Sequence, residues 1–462
     1  HNVLYVSNAN ADLRYGGGTV QAVDLARFDR AVSDFHAKAA NADTGLCVTD
    51  ALDPLVVDCD ETPFIFGAQT VKVGNFAGSI RILANPATPE QVRLFVGVRG
   101  DPSVTWIDVD YAGGGNATGT GIAAPSMSCY DNAAGSRALP HQPPACDASH
   151  LIQNFFDPTI ACNNPTGGQP PPPDCPQGLT PLPTEPFGMV LDSGNEPTGE
   201  PYSRLVVSHL GGGQVSVIDT TGRPFIRSVS QPFFTADAGG HHGAFSLAPQ
   251  HPGQALSLWY LTSDVQPTVQ LFRIADAAVI VPAQSFSLSG AFGAGNDGRQ
   301  IFFQADGNRA FLTENNPPSV VVVDTRPSPL SSTLPLNQVV DIVDVCQNPS
   351  HMLVRSVETA GAPGAPPLPQ TRIYVVCFLS NQVMVVDPDR PEVLDTILLG
   401  RGPTEIAYYQ RPVAPGAGVP SHRAYVSNFG EWTVSMIDLD PGSPTENRVI
   451  ARIGLPVPPQ VP

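Results

Sequence analysis

Lysine is almost missing from this chain: Lys38 and Lys72 are the two lysines among 462 residues, and all 24 basic residues stand against 42 acidic ones, for a net charge of −18. No basic stripe exists to neutralise a row of phosphates, so nucleic acid is not an expected partner. Long apolar runs are lacking too. Nothing approaches the roughly twenty residues a transmembrane helix needs, and no signal-peptide profile precedes the first strand pattern, so any targeting segment is expected to have been removed. A lipid anchor leaves no visible mark. The sequence also lacks a P-loop, a GxSxG elbow, an HExxH pair, an EF-hand loop and a haem-attaching CxxCH, which removes the catalytic classes that announce themselves by motif.

Glycine and proline are plentiful, 43 and 49 residues, about a fifth of the chain against roughly an eighth in ordinary proteins. That suits many turns and few helices. The turns punctuate a repeated unit, clearest in RAYVSNFGEWTVSMIDLD from Arg423. Ala424, Tyr425 and Val426 form a short apolar strand, a polar segment turns the chain, and Val434, Met436 and Ile437 rise again with period-two alternation. Asp438 ends the hairpin, because its short carboxylate accepts a backbone N–H two residues on and favours a turn. Equivalent hairpins run Leu4–Asp24, Arg93–Asp108, Arg204–Asp219, Leu258–Phe272, Arg309–Asp324 and Arg372–Asp387. The fourth departs by carrying Arg273 where the others carry aspartate. The anchors Val206, Tyr260, Phe311, Tyr374 and Tyr425 are spaced by 54, 51, 63 and 51 residues.

A period near fifty with four short strands per unit means a propeller, each unit burying its faces against its neighbours. Further apolar strands lie ahead of the hairpins, as in Gly243–Pro249, Gln300–Ala305 and Glu405–Tyr409, and behind them, as in Val393–Gly400. The expected fold is all-β: a single seven-bladed β-propeller of four-stranded antiparallel blades over residues 1–462, with disulfide-tied insertions at about 25–70, 111–183 and 358–370. These repeats resemble the YVTN family of seven-bladed propeller repeats, over most of the chain outside the insertions. The resemblance implies a surface-layer or lactonase-like propeller.

Eight cysteines fall into local pairs: Cys47 with Cys59, Cys129 with Cys146, Cys162 with Cys175, and Cys346 with Cys377. Sequence alone permits 105 pairings of eight cysteines. The last pair has independent support, since Cys346 precedes the first strand of blade six and Cys377 ends the antiparallel strand beside it. The other six lie in segments without apolar periodicity, where covalent ties replace a core. Zinc competes poorly, because no CxxC occurs. Disulfides place the protein in an oxidising compartment, the periplasm or the cell surface.

Within the first insertion, Leu25, Phe28, Val32 and Phe35 have helical spacing, although an outer strand competes for the same residues. The second insertion reads as a tied loop projecting from blade two, either a surface elaboration or a partner-binding arm. The proline-rich third reads as a loop. The C-terminal GLPVPPQVP stands where the missing first strand of blade one belongs, with prolines that limit its pairing.

Propeller geometry brings the loops entering the first strands and the tips of the central hairpins to one face, around the channel mouth. The entering loops carry His241, His242, Asp297, Arg299, His351, Arg401 and Glu405; the tips carry Asn8, Arg99, His209, Asp264, Glu314, Asn381, Asn428 and Glu431. Asn8, Asn381 and Asn428 read as turn-forming residues. His241, His242, His351 and Glu405 are the expected ligands should a divalent metal bind at the mouth, with Asn348 and Arg401 as supporting partners; polar channel lining is the competing reading. Two functions follow. One is an exported binding or scaffold module for an envelope protein or a glycan, which the surface-layer resemblance implies. The other is a channel-mouth enzyme, since related seven-bladed folds host lactonases and quinone-linked oxidoreductase subunits.

Overall fold

The computed structural model describes residues 2–11, 13, 16–37, 45–85, 87–111, 124–129, 144–153, 182–275, 278–288, 297–329, 331–359, 368–411 and 422–456. Its described residues form seven antiparallel blades, blade one with three strands and the other six with four strand positions filled. The expected central hairpins are all present, with second strands at Val3–Asn8, Gln91–Val98, Pro201–His209, Leu258–Ser263, Arg309–Asn315, Leu368–Cys377 and His422–Asn428. The terminal aspartates do what their chemistry predicts. Asp219, Asp324, Asp387 and Asp438 each accept the backbone N–H two residues on, at 2.9–3.0 Å.

The blades divide between two compact units, one holding residues 3–23 and 66–286, the other 1–2, 24–65 and 287–462. In the first, blade one contributes Val3–Asn8, Gly18–Asp24 and Val71–Val73 in sheet order. Blade two runs Ala77–Ala84, Gln91–Val98 and Ser103–Asp110, and its fourth position is shared by two pieces. Ser126–Ser128 pairs with one end of Ser103–Asp110, and Leu151–Ile152 with the other. The reading of 111–183 as a projecting loop is corrected here, because parts of it complete the blade. Alternation explains the recruitment: Met127 and Ile152 are buried, and each carries its neighbours into register. The bulk of that stretch, including Cys162 and Cys175, lies outside the described residues. Blade three comprises Pro186–Asn195, Pro201–His209, Val215–Asp219 and Phe225–Val229; blade four comprises Ala244–Pro249, Leu258–Ser263, Thr268–Ile274 and Ile280–Ser287.

Apolar side chains fill the spaces between these blades. Phe95, Val104 and Trp106 of blade two meet Leu205, Val207 and Ile218 of blade three, and Val206, Val217 and Val215 of blade three meet Leu247, Trp259 and Phe272 of blade four. Odd and even positions of one strand thus serve two different neighbours, which is why both faces of these strands are apolar.

In the second unit, blade five is Gly298–Phe303, Arg309–Asn315, Pro318–Asp324 and Gln338–Asp344; blade six is Pro349–Thr359, Leu368–Cys377, Gln382–Asp387 and Glu392–Leu398. Cys346 and Cys377 are bonded, with Cα atoms 5.8 Å apart, and Cys47–Cys59 and Cys129–Cys146 are bonded likewise at 4.0 and 4.8 Å. Blade seven, Pro403–Gln410, His422–Asn428, Thr433–Asp438 and Arg448–Ile453, gains two more strands on its outer edge. Val57–Cys59 pairs parallel to Arg448–Ile453, and Cys47–Thr49 pairs antiparallel to Val57–Cys59. Between Asp24 and these strands the chain forms a helix, Leu25–Ala37. Asp24 decides the competition with an outer strand, because its carboxylate caps the helix through Arg27 N–H at 2.9 Å. Leu25, Phe28, Ala31 and Val32 are buried, and buried Asp29 receives the guanidinium of Arg423. Residues 457–462 lie outside the described residues, and with them the expected first strand of blade one.

Candidate functional site

In the unit of blades one to four, the tip residues are held by local hydrogen bonds. Asn8 Oδ1 accepts the N–H of Asn10 at 3.1 Å, and Asn10 sits in the left-handed region at φ 48°, which asparagine tolerates through such local bonds. Arg99 pairs with Glu185 at 2.9 Å and lies over the Phe187 ring. His209 is fully buried on Pro201–His209, its Nε2 2.8 Å from Ser216 Oγ. Burial depresses its pKa to about 3, so the ring is neutral at physiological pH. His241 Nε2 stands 3.8 Å from Asp264 Oδ1. The neighbouring His242 donates from Nδ1 to the Phe234 carbonyl at 2.6 Å. Gly213, at φ 71°, passes so near that a Cβ there would lie 2.5 Å from the Cβ of His242.

In the unit of blades five to seven, Asp297 and Arg299 form an ion pair at 2.7 Å, and Asn315 Nδ2 adds a bond to Asp297 at 2.8 Å. Glu314, opposite Gly298 in the register, is completely buried. Neither of its carboxylate oxygens reaches a hydrogen-bond partner of normal geometry among the described residues. Burial raises its pKa to about 7, with the Asp297 charge adding and the Asp297 backbone N–H opposing. His351 packs beside Phe302, ring centroids 6.1 Å apart. Asn381 Oδ1 accepts Gly402 N–H at 2.9 Å, and Glu431 accepts Arg401 N–H at 2.8 Å. Asn428 Nδ2 bonds Thr433 and Ser435, while Glu405 N–H reaches Ser427 Oγ at 3.2 Å. Asn348 takes a left-handed φ of 56°. His241 and His242 belong to one unit, and His351 and Glu405 to the other. Among the described residues no group of three or more His, Cys, Asp or Glu side chains is arranged to hold a metal ion.

A concave feature lies elsewhere, at the opposite ends of blades two and three. It is a cleft of about 810 Å³. Register builds one wall as two rows across three strands: Gln91, Asp110 and Ser126, then Arg93, Asp108 and Ser128. Side chains two apart on a strand share a face, so the sequence patterns Gln-Val-Arg, Asp-Val-Asp and Ser-Met-Ser present six polar groups together and turn Val109 and Met127 into the core. Arg93 forms a bidentate pair with Asp108, at 2.7 and 3.1 Å, and covers the Trp106 ring at 4.3 Å. Its remaining nitrogen reaches the carbonyls of Thr220 and Gly222 on blade three. The facing wall is a hydroxyl chain, with Ser203 Oγ 3.1 Å from Ser193 and 2.6 Å from Thr220. Reading hairpins one at a time missed this wall. Its signal was present in the alternating polar residues that end each strand of blade two.

Comparison with known proteins bears on the fold. No family model and no curated protein matches the chain, so the likeness to YVTN repeats rests on the residues quoted. Solved structures do match. A Lactobacillus plantarum protein aligns with 11% identity and a TM-score of 0.51, over 98% of this chain and 96% of its own. The periplasmic gluconolactonase PpgL of Pseudomonas aeruginosa aligns with 14% identity and a TM-score of 0.47, over 99% and 97%. A putative 6-phosphogluconolactonase of Bacteroides fragilis aligns with 12% identity and a TM-score of 0.42, over 87% and 82%. At these identities the likeness is one of fold.

Proposed function

We propose that this protein is an exported binding module, a rigid set of blades that presents a recognition surface to an envelope protein or a glycan. The observation that carries the reading is the cleft of blades two and three. Its volume falls in the range of ligand sites, about 300–1,000 Å³, and its polar wall is fixed by register rather than by loose loops. The Cys129–Cys146 bond follows directly on Ser128 and holds that outer strand piece in place. Preorganisation of this kind reduces the ordering cost of binding. Export is supported by the disulfides, and no helix among the described residues is long and apolar enough to cross a membrane. The test is cross-linking in intact envelopes with a photoreactive group placed at Ser126. A specific adduct is expected there, and adducts that ignore the cleft and form equally from a remote site such as Leu52 would remove the reading.

A second reading has one observation of its own. Glu314 and Asp297 form a carboxyl pair whose members sit in unlike environments, one buried without a salt bridge and the other held by Arg299. A carboxyl group whose pKa burial raises towards 7 is what general acid catalysis uses. For a lactonase-like hydrolase, δ-lactone hydrolysis above the spontaneous rate should be measurable and should vanish in Glu314→Gln. Equal rates for the two proteins would end this reading.

A further inference from the structure

Blade-to-blade contacts in the unit of blades one to four are apolar over most of their length, as where Phe95 and Trp106 meet Leu205 and Ile218. At one end of the contact between blades two and three this changes within two residues along each strand. Phe95 gives way to Arg93 and then Gln91, and Trp106 to Asp108 and then Asp110. The apolar packing ends there, with Arg93 bonded across to the carbonyls of Thr220 and Gly222, and the cleft opens.

We infer that this cleft is a subsite for a sugar ring of a neutral glycan, an assignment that rests on the binding-module reading and names its ligand. Four features of the walls select that chemistry. Hydroxyl groups line both sides, Ser126 and Ser128 on blade two and Ser203 and Thr220 on blade three. A hydroxyl is both donor and acceptor, so such a wall complements a ligand that is itself polyhydroxylated. Asp110 and Asp108 lie on neighbouring register positions, and a carboxylate accepts from two adjacent ring hydroxyls at once. The charge balance excludes an anionic ligand. One guanidinium faces two carboxylates, and both of its outward edges are already turned to Asp108 and to the carbonyls of blade three. Leu83, opposite Arg93 in the register, also lines the cleft and supplies apolar surface for the C–H face of the ring. The fit is also one of size, since about 810 Å³ admits one or two sugar rings with their water and not a folded chain.

The test uses the whole protein against an immobilised panel of neutral, acidic and amino-bearing oligosaccharides, followed by calorimetry with the best neutral binder and with its free monosaccharide. Two variants address the site. Asp110→Ala removes one of the two lining carboxylates, and Ser126→Trp, at an exposed position, fills the cleft without disturbing the core. Binding to neutral glycans is expected, weakened at least about tenfold in each variant, while the thermal unfolding midpoint stays at the wild-type value. An oligosaccharide that binds where its monosaccharide does not identifies a polymer ligand, and equal binding identifies a free sugar; both support the subsite. Preference for acidic glycans, or neutral-glycan binding that both variants retain, overturns it. Absence of any glycan binding, with the Ser126 cross-link to a protein partner intact, also overturns it and leaves the binding module standing.

Discussion

Replacing Glu314 with glutamine tests the electrostatics of blade five directly. The carboxyl group is completely buried, its two oxygens lack a partner of normal geometry among the described residues, and burial lifts its pKa from the ordinary 4.5 to about 7. The folded-state value lies above the unfolded one. The neutral acid therefore contributes its full stability below pH 4.5, and that contribution drains away as pH rises towards 7, where the unfolded chain is ionised and the folded chain is not. Each pH step in this window is worth about 1.4 kcal/mol, so the wild-type protein should lose about 3 kcal/mol relative to the variant by pH 8. Glutamine matches the neutral acid in shape and charge and does not titrate. Urea unfolding of both proteins, followed by tryptophan fluorescence at pH 4.5, 6 and 8, isolates the effect, because titrations common to both cancel in the difference. Near-equality at pH 4.5 and a growing advantage for Glu314→Gln is expected. A difference that stays constant across the window, or a variant that is the weaker at pH 8, would refute the reasoning.

Further outcomes follow from other sites. Arg423→Ala leaves Asp29, buried on the helix, with the more distant Arg411 at 3.7 Å as its guanidinium partner and should cost about 1–3 kcal/mol, with the Asp29→Ala, Arg423→Ala double variant losing less than the sum of the singles in a denaturation cycle. Removing the Cys346–Cys377 bond, which spans 31 residues, should cost about 4 kcal/mol in the chain-entropy model; non-reducing peptide mapping that finds either cysteine joined elsewhere would sink the pairing. Gly213→Ala forces a left-handed backbone and a contact with His242, so a loss of about 1–3 kcal/mol is expected in thermal unfolding.

The central hairpins were legible in the sequence because everything that specifies them is local. Alternation around Tyr425 and Met436, a polar turn between them and Asp438 at the end all fall within sixteen residues. What joins distant stretches was not legible. Arg204 stands opposite Asp219 in register, yet its guanidinium turns to buried Asp192 on the next strand, at 2.8 Å, and Arg423 reaches past Asp438 to Asp29. Such choices depend on burial that no window of the chain reveals. The helix at Leu25–Ala37 fell between the two cases: its apolar spacing fitted a helix, and the deciding cap came from Asp24, already noticed as the end of a strand. The histidines of the entering loops were found by position. Their surroundings show His242 bonded to a backbone carbonyl and His351 packed beside an aromatic ring, relations that composition does not contain. The polar wall of blade two needed three strands in register before Gln91, Asp110 and Ser126 became neighbours.

The strand Val57–Cys59 on the outer edge of Arg448–Ile453 sets a schedule for the folding chain. Its Asp58 bonds Arg452 across a sequence separation of 394, so a segment made early has its partner made nearly last. At synthesis rates of roughly 5–20 residues per second the wait is on the order of 20–80 seconds. Through that interval the small disulfide hairpin of Cys47 and Cys59 can already form, being closed over a separation of only 12 residues, and it would keep the waiting strand extended and paired on one side. The opposite edge stays open to any other strand in reach. Blade seven is thus sealed only once Arg448–Ile453 has been made.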